Sequence, residues 1–205
     1  MLRHDYYESE VLDAIVAELG GSGVLWDIGA NIGLHGLTAK KLAPDAEVIC
    51  FEPSPAILGM LWRNRVLNDL DVRVVAAALS DRTDFQVFCI AAAGNPGMSS
   101  LSPWSEAEYE GRTLVATVRG DELVQSGLLA APTVIKLDVE GHEEAVLRGL
   151  THVLASSCRV VIFEDAPEED TPTKALLAAA GFGFEPLTRH EASHHALINI
   201  LARRG

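Results

Sequence analysis

The sequence predicts an α/β protein whose mostly parallel sheet is covered by helices on both faces. Short apolar runs, such as residues 24–28 and 47–51, alternate with segments of helical periodicity, such as residues 32–42 and 55–67. This alternation is typical of βαβ units, in which each crossover helix packs on the sheet. A glycine-rich turn, DIGANIG, joins the first apolar run to its helix and supports the same fold class.

The predicted elements follow one another without a repeat or a linker, so we expect residues 1–205 to form one domain. Strands are predicted at residues 24–28, 47–51, 73–79, 85–90, 114–118, 134–138, 159–163 and 196–201. Helices are predicted at residues 8–19, 32–42, 55–67, 143–155 and 173–180. Residues 91–111 are rich in glycine, serine and proline and are predicted to form a long loop, which in compact proteins is often functional.

The composition argues against several classes of protein. The chain of 205 residues carries a formal net charge of -13, which disfavours nucleic acid and anionic membranes as partners. No stretch approaches the roughly 20 apolar residues that span a bilayer, and the N-terminus lacks an apolar signal core. Cys50, Cys89 and Cys158 form no C-x-x-C pair, so we expect free thiols in a cytoplasmic protein rather than a zinc site.

The turn after the first strand predicts a ligand without phosphate groups. Gly29, Gly33 and Gly36 give the spacing G-x-x-x-G-x-x-G, and Asn31 stands where a dinucleotide fingerprint has its second glycine. Asp27 adds a negative charge that would repel a pyrophosphate and attract a ligand with an ammonium and a sulfonium. S-adenosylmethionine is such a ligand. The alternative is tight strand-to-helix packing without a ligand.

Further polar residues end the second and third predicted strands. Glu52 follows the second strand, where an acid can accept hydrogen bonds from a ribose diol, as it also does in nicotinamide enzymes. Ser80 and Asp81 follow the third strand, and Asp81 is placed to accept a hydrogen bond from an adenine amino group. Its alternative is a turn residue or a helix cap.

A second group of polar residues follows the strand at residues 134–138. Asp138, Glu140 and Glu164 are expected to meet at one edge of the sheet if the two neighbouring strands are adjacent. His142 is predicted to be the general base because histidine titrates near neutral pH, with Asp138 as the alternative. A divalent metal ion on this acidic edge is less favoured, and His190, His194 and His195 lack a fixed ligand spacing.

The motifs DIGANIG, FEPSP, ALSD and IKLDVEGHE, in this order, resemble those of the FkbM-type S-adenosylmethionine-dependent methyltransferases. The resemblance runs from about residue 24 to residue 164. It implies a Rossmann-like class I methyltransferase fold with seven strands, of which the last is antiparallel. It also implies methylation of a hydroxyl group on a small molecule, such as a sugar or a natural product.

The resemblance also implies roles for single residues. The methionine part of the cofactor would be surrounded by Asp27, Gly29, Asn31 and Gly33, the ribose held by Glu52, and the adenine flanked by Ser80 and Asp81. Asp138 would border the transferred methyl group, Glu140 and His142 would face the acceptor, and residues 97–101 would close over the pocket.

Departures from the family pattern concern the acceptor side. His35 replaces an aromatic residue, and the segment VRGDEL keeps only Asp121 of an acidic position. Residues 1–22 are expected to form a helical segment over the cofactor pocket, which leaves little chain for recognising a large acceptor. The sequence leaves open a homo-oligomer. A nicotinamide-dependent oxidoreductase and a non-catalytic partner protein of the same fold are the alternative functions.

Overall fold

The structure, a computed structural model, describes residues 8–92, 98–103, 108–167, 170–187 and 197–205. The helices of the described chain are α1 (Ser9–Leu19), α2 (Leu34–Leu42), α3 (Pro55–Leu67), α4 (Gly120–Gln125), α5 (Glu143–Arg148), α6 (Thr151–Ser156) and α7 (Pro172–Ala179). The strands are β1 (Val24–Ile28), β2 (Glu47–Phe51), β3 (Arg73–Val75), β4 (Ala78–Leu79), β5 (Asp84–Ala91), β6 (Tyr109–Val118), β7 (Val134–Leu137), β8 (Val160–Asp165), β9 (Phe182–Pro186) and β10 (Ile198–Arg204).

Seven strands form the main sheet in the order β3-β2-β1-β7-β8-β10-β9. The strands from β3 to β8 in this order are parallel, whereas β10 runs antiparallel to both β8 and β9. The predicted fold class, including the antiparallel last strand, is therefore confirmed. The order reverses between β1 and β7, and ligands of open α/β sheets bind at such a switch point, at the carboxyl ends of the strands.

Apolar side chains cover the sheet on both faces, because β-strand residues point alternately to opposite sides. On β1, Leu25 belongs to the buried cluster formed with α1, α2 and α3, and Trp26 belongs to the cluster formed with α4 to α7. Both side chains have an exposed fraction of 0%. The packing fixes the carboxyl ends of the central strands, and with them the polar residues that follow each strand.

A second, three-stranded sheet has the order β4-β6-β5. The prediction of one strand over residues 73–79 is wrong, because β3 pairs with β2 in the main sheet while β4 pairs with β6. The backbone N–H of Ser80 donates to the carbonyl of Val118, which continues the pairing with β6. Residues 91–111 are only partly a loop, because β5 and β6 form an antiparallel hairpin that extends into them.

The helix predicted over residues 143–155 is two helices, α5 and α6, because the chain bends at Gly149. A Cβ atom on Gly149 would lie 2.0 Å from the carbonyl oxygen of Ser80, so the two segments approach too closely for a larger residue. Asp121 accepts hydrogen bonds from the backbone of His152 and Val153 at the start of α6. Asp121 thus has a structural role as a helix cap.

Two elements, α4 and β9, were not among the sequence predictions. Within the described ranges, no helix is long and apolar enough to cross a membrane.

Candidate functional site

A cavity of about 350 Å³ opens at the carboxyl ends of β1, β2 and β7. It is lined by the glycine turn after β1, the residues after β2, the loop after β7, and Glu8 at the start of α1. Its volume lies in the range of roughly 300–1,000 Å³ that is usual for small-molecule sites. The cavity therefore occupies the position where this class of sheet binds its ligands.

The glycine turn forms one wall through backbone conformations that few residues adopt. Gly29 has a φ of 80°, and a Cβ atom there would lie 1.8 Å from the carbonyl oxygen of Asp138. Asn31 has a φ of 51° and lines the cavity. Gly33 does not line the cavity, because its close neighbours are the side chains of Leu37 and Leu61. Gly29 and Asn31 therefore form the backbone wall of the cavity, whereas Gly33 allows close packing against Leu37 and Leu61.

Glu52 is buried, with an exposed fraction of 6%, and lines the cavity at the end of β2. Its Oε2 accepts a hydrogen bond of 2.9 Å from the backbone N–H of Asn31, and its Oε1 accepts one of 2.7 Å from Ser54. Burial raises the pKa of Glu52 to about 7, although the two backbone donors lower it. The carboxyl group is fixed in orientation and retains lone pairs for a ligand.

Asp27 has an exposed fraction of 0% and does not line the cavity. One carboxylate oxygen, Oδ2, accepts a hydrogen bond from the backbone N–H of Gly36, at 2.8 Å. The other, Oδ1, lies 3.9 Å from Nζ of Lys136. The sequence predicts that the carboxylate of Asp27 faces the ligand. In the structure it faces Lys136 instead of the cavity.

Asp138 lines the cavity and pairs with the same lysine at 2.9 Å. Burial raises its pKa, but the charge and the hydrogen bond of Lys136 outweigh burial, and the net pKa is lowered. Asp138 is therefore ionised at neutral pH. A group held in this form accepts hydrogen bonds readily, but it is a weak proton acceptor.

His142 lines the cavity, with both ring nitrogens close to serine hydroxyls. Its Nε2 is 3.0 Å from Oγ of Ser80, and its Nδ1 is 2.8 Å from Oγ of Ser102. Burial lowers its pKa, an effect that Asp81 opposes and Arg82 reinforces. Ser80 is buried against His142 and Asp81 is exposed, and neither lines the cavity.

Glu140 lines the cavity in a left-handed conformation with a φ of 54°. Its backbone carbonyl accepts a hydrogen bond from Ser100, at 2.7 Å, which connects the loop after β7 to the segment after β5. Burial, followed by the nearby carboxylates of Asp138 and Glu164, raises the pKa of Glu140 to about 7. Its carboxyl group makes no hydrogen bond or ion pair with the residues that the structure describes.

Glu164 has a pKa of about 7, raised first by burial and then by Asp138 and Glu8, but it does not line the cavity. Among the described residues, no three His, Cys, Asp or Glu side chains are grouped so that they could hold a metal ion. The sequence-predicted residues His190, His194 and His195 lie outside the described ranges, as does Gly97 of the predicted closing loop.

The sequence predictions gave no site role to four polar residues that line the cavity, namely Glu8, His35, Ser54 and Lys136. Nε2 of His35 lies 3.3 Å from Oε2 of Glu8, without the geometry of a hydrogen bond. Burial and the Lys136 charge lower the pKa of His35. The sequence did contain one indication that Lys136 belongs to the site. Lys136 lies two residues before Asp138, and residues i and i+2 of a strand point to the same face.

The chain is similar in sequence to known methyltransferases. It is 33% identical over 181 residues to the hexuronic acid methyltransferase AglP of Haloferax volcanii, covering 87% of this chain and 71% of AglP. It is 26% identical over 171 residues to the 2-O-methyltransferase NoeI of Sinorhizobium fredii, covering 75% of this chain and 69% of NoeI.

The fold is similar to that of a solved FkbM methyltransferase from Methylobacillus flagellatus. The TM-score is 0.58 at 18% identity, with coverage of 89% of this chain and 44% of that protein. The family model of the methyltransferase FkbM domain matches residues 27–205. That match includes the glycine turn, Glu52 and the loop after β7, so the polar residues that line the cavity lie almost entirely within it. The chain therefore belongs to the FkbM methyltransferase family.

Proposed function

We propose that the protein transfers the methyl group of S-adenosylmethionine to a hydroxyl group of a small molecule from the sugar or natural-product class. The observation that carries the proposal is Glu52, whose two oxygens are each fixed by one backbone donor while the carboxyl group faces the cavity. A carboxylate at the end of the second strand matches a ribose diol. The names of AglP and NoeI support a sugar as the acceptor.

The residues of the cavity fit the cofactor. A Cβ atom at Gly29 would collide with the loop after β7, so this turn keeps the backbone open beside the cavity. We assign Gly29, Asn31 and Asp138 to the methionine side and Glu52 to the ribose. Asp27 and Gly33 support the site indirectly, Asp27 by its hydrogen bond with Gly36 and Gly33 by the packing of α2. We assign the adenine to the side of the cavity lined by Ala78 and Leu79, which directly precede Ser80 and Asp81.

When bound, the cofactor supplies a methyl group on a sulfonium, which is already activated for displacement. The protein then has two tasks, to align the acceptor hydroxyl and to remove its proton. Alignment can contribute roughly 7–11 kcal/mol, and a general base contributes about 10²–10⁴-fold. Both tasks fall to the loop after β7, which carries three ionisable groups into the cavity.

Of these groups, Glu140 is the best-placed proton acceptor. Both ring nitrogens of His142 are engaged by serine hydroxyls, and Asp138 is held ionised by Lys136. Glu140 has neither constraint, and its pKa of about 7 suits a base that works near neutral pH. We therefore assign proton removal to Glu140, and we assign to His142 the positioning of the loop against Ser80 and Ser102.

The test is methyl transfer from methyl-labelled S-adenosylmethionine to a panel of neutral methyl glycosides and glucuronides. The proposal expects a labelled, chromatographically distinct product with at least one acceptor, together with S-adenosylhomocysteine. A protein that binds S-adenosylhomocysteine but labels no member of a broad panel would instead be a non-catalytic partner. The Gly29→Ala variant is the background control, because its added Cβ would collide with the loop after β7.

A further inference from the structure

Lys136 is a buried, charged side chain on one face of the main sheet. It lies on β7 directly beside Asp27 of β1 and has an exposed fraction of 6%. Its Nζ lies 2.9 Å from Oδ2 of Asp138 and 3.9 Å from Oδ1 of Asp27. Burial lowers the pKa of Lys136, but the two carboxylates outweigh burial and the net pKa is raised. The lysine therefore stays charged.

Burying these three charged groups lowers the free energy of unfolding relative to an apolar sheet. Desolvating buried charges costs several kcal/mol for each ion, and apolar residues of similar volume often serve stability equally well. Oδ1 of Asp27 is buried and has no hydrogen-bond partner among the described residues. The ion pairs thus leave one buried oxygen without a hydrogen bond. A contribution to packing alone does not explain why charged residues occupy these positions.

Lys136 is also distinctive in the cavity lining. Among the described residues that line the cavity, it is the only lysine or arginine. Its partner Asp138 lines the same part of the cavity and is 36% exposed at the side chain. An ammonium and a carboxylate therefore lie side by side in the cavity lining, and this pair is complementary to a zwitterion.

The position of the pair relative to Glu52 fits the length of the cofactor. Glu52 follows β2, Lys136 lies on β7 with Asp138 directly after it, and β1 lies between these two strands. Neighbouring strands are about 4.8 Å apart, so the two sites are separated by about 10 Å across the sheet. With the ribose at Glu52, the amino-acid end of the cofactor reaches across the glycine turn towards β7.

We propose that Lys136 and Asp138 together bind the amino-acid part of S-adenosylmethionine, with Lys136 bound to the α-carboxylate and Asp138 to the α-ammonium. This inference rests on the proposed function, since it needs the cofactor in the cavity. It assigns to Lys136, which is almost fully buried, the binding of the cofactor carboxylate. It also gives Asp27 a role. The carboxylate of Asp27 positions the ammonium of Lys136, and the backbone N–H of Gly36 fixes Asp27 by a hydrogen bond.

The experiment compares two probes by calorimetric titration of the purified full chain. S-adenosylhomocysteine carries the amino-acid part, whereas 5′-methylthioadenosine has the same adenosine and sulfur but ends in a methyl group. In Lys136→Met, the affinity for S-adenosylhomocysteine should fall at least about tenfold, because a charge-assisted bond is lost. The affinity for 5′-methylthioadenosine should stay within about twofold of the wild type.

Three variants make the comparison selective. Asp138→Asn is expected to show the same selective loss and is less buried, so it covers the case in which Lys136→Met fails to fold. Glu52→Gln should weaken both probes, because both contain the ribose. Lys40→Met should change neither, because within the described part of the chain the ammonium of Lys40 donates hydrogen bonds to the carbonyls of Pro44 and Ala46 and does not line the cavity.

The results separate this inference from the proposed function. Equal losses for both probes in Lys136→Met and Asp138→Asn would mean that the pair only shapes the pocket, and the inference would be overturned. Unchanged affinity for S-adenosylhomocysteine in both variants would overturn it as well. If the wild-type protein binds neither probe, the proposed function itself fails and the inference falls with it.

Discussion

Replacing Glu52 with glutamine changes one atom of the group on which the proposed cofactor site depends most. Both carboxylate oxygens accept from backbone N–H groups, those of Asn31 and Ser54. A glutamine must turn its NH₂ group towards one of these donors, so one bond becomes a contact between two donors. The ligand also loses one charge-assisted hydrogen bond, worth about 1.5–3 kcal/mol.

These values correspond to a loss of about 10- to 150-fold in affinity for S-adenosylhomocysteine. Calorimetric titration at pH 8 measures the loss directly. The control is Glu47→Gln, which makes the same substitution at the other end of β2, where the side chain forms an exposed ion pair with Arg73. A Glu52→Gln protein that binds the ligand within about twofold of the wild type would refute the assignment.

The pKa of Glu52 adds a second arm to this experiment. With a pKa of about 7, about 90% of the group is ionised at pH 8 and about 10% at pH 6. Only the ionised form accepts hydrogen bonds from both ribose hydroxyls, so the wild-type affinity should fall about tenfold between pH 8 and pH 6. Glu52→Gln should lack this dependence. A wild-type affinity that is flat with pH would contradict the role of the charge.

Three further predictions concern other residues of the site. Glu140→Gln should lower methyl transfer about 10²–10⁴-fold and remove a fall in kcat below about pH 7, while the affinity for S-adenosylhomocysteine stays within twofold; a full-rate variant would exclude Glu140 as the base. Gly29→Ala should abolish measurable binding of S-adenosylhomocysteine, because its Cβ would lie 1.8 Å from the carbonyl oxygen of Asp138; Gly59→Ala, whose Cβ would meet nothing within 4 Å, is the control and should bind normally. Glu164→Gln should raise Tm at pH 8 but not at pH 4.5. The folded-state pKa of Glu164 is raised from 4.5 to about 7, so its contribution to stability is lost as pH rises through that window; equal Tm changes at both pH values would argue against the shift.

Much of the fold follows from local sequence. The bounds of β1, β2 and α3 agree with the predicted residues 24–28, 47–51 and 55–67, because apolar runs between glycine, proline and polar residues are strong local signals. The division of one predicted helix at Gly149 depends instead on a carbonyl of Ser80 that passes close to it. Such a contact between distant segments leaves no periodicity to detect.

The site shows the same limit. The motifs placed Glu52, Gly29, Asn31, Asp138, Glu140 and His142 together at one cavity, because the carboxyl ends of parallel strands meet at one edge. They did not reveal that Asp27 faces Lys136, a contact across more than 100 residues of chain. Nor did they reveal that His142 is held by Ser80 and Ser102. In each case the partner of a polar residue is set by tertiary packing.

The cavity is assigned to S-adenosylmethionine rather than to a dinucleotide. Calorimetric titration of the purified protein with S-adenosylhomocysteine and, separately, with NADH distinguishes the two ligands. We expect micromolar binding of S-adenosylhomocysteine and no binding of NADH. Binding of NADH without S-adenosylhomocysteine would contradict this assignment, because the glycine turn, Asn31 and Glu52 would then form a nicotinamide site.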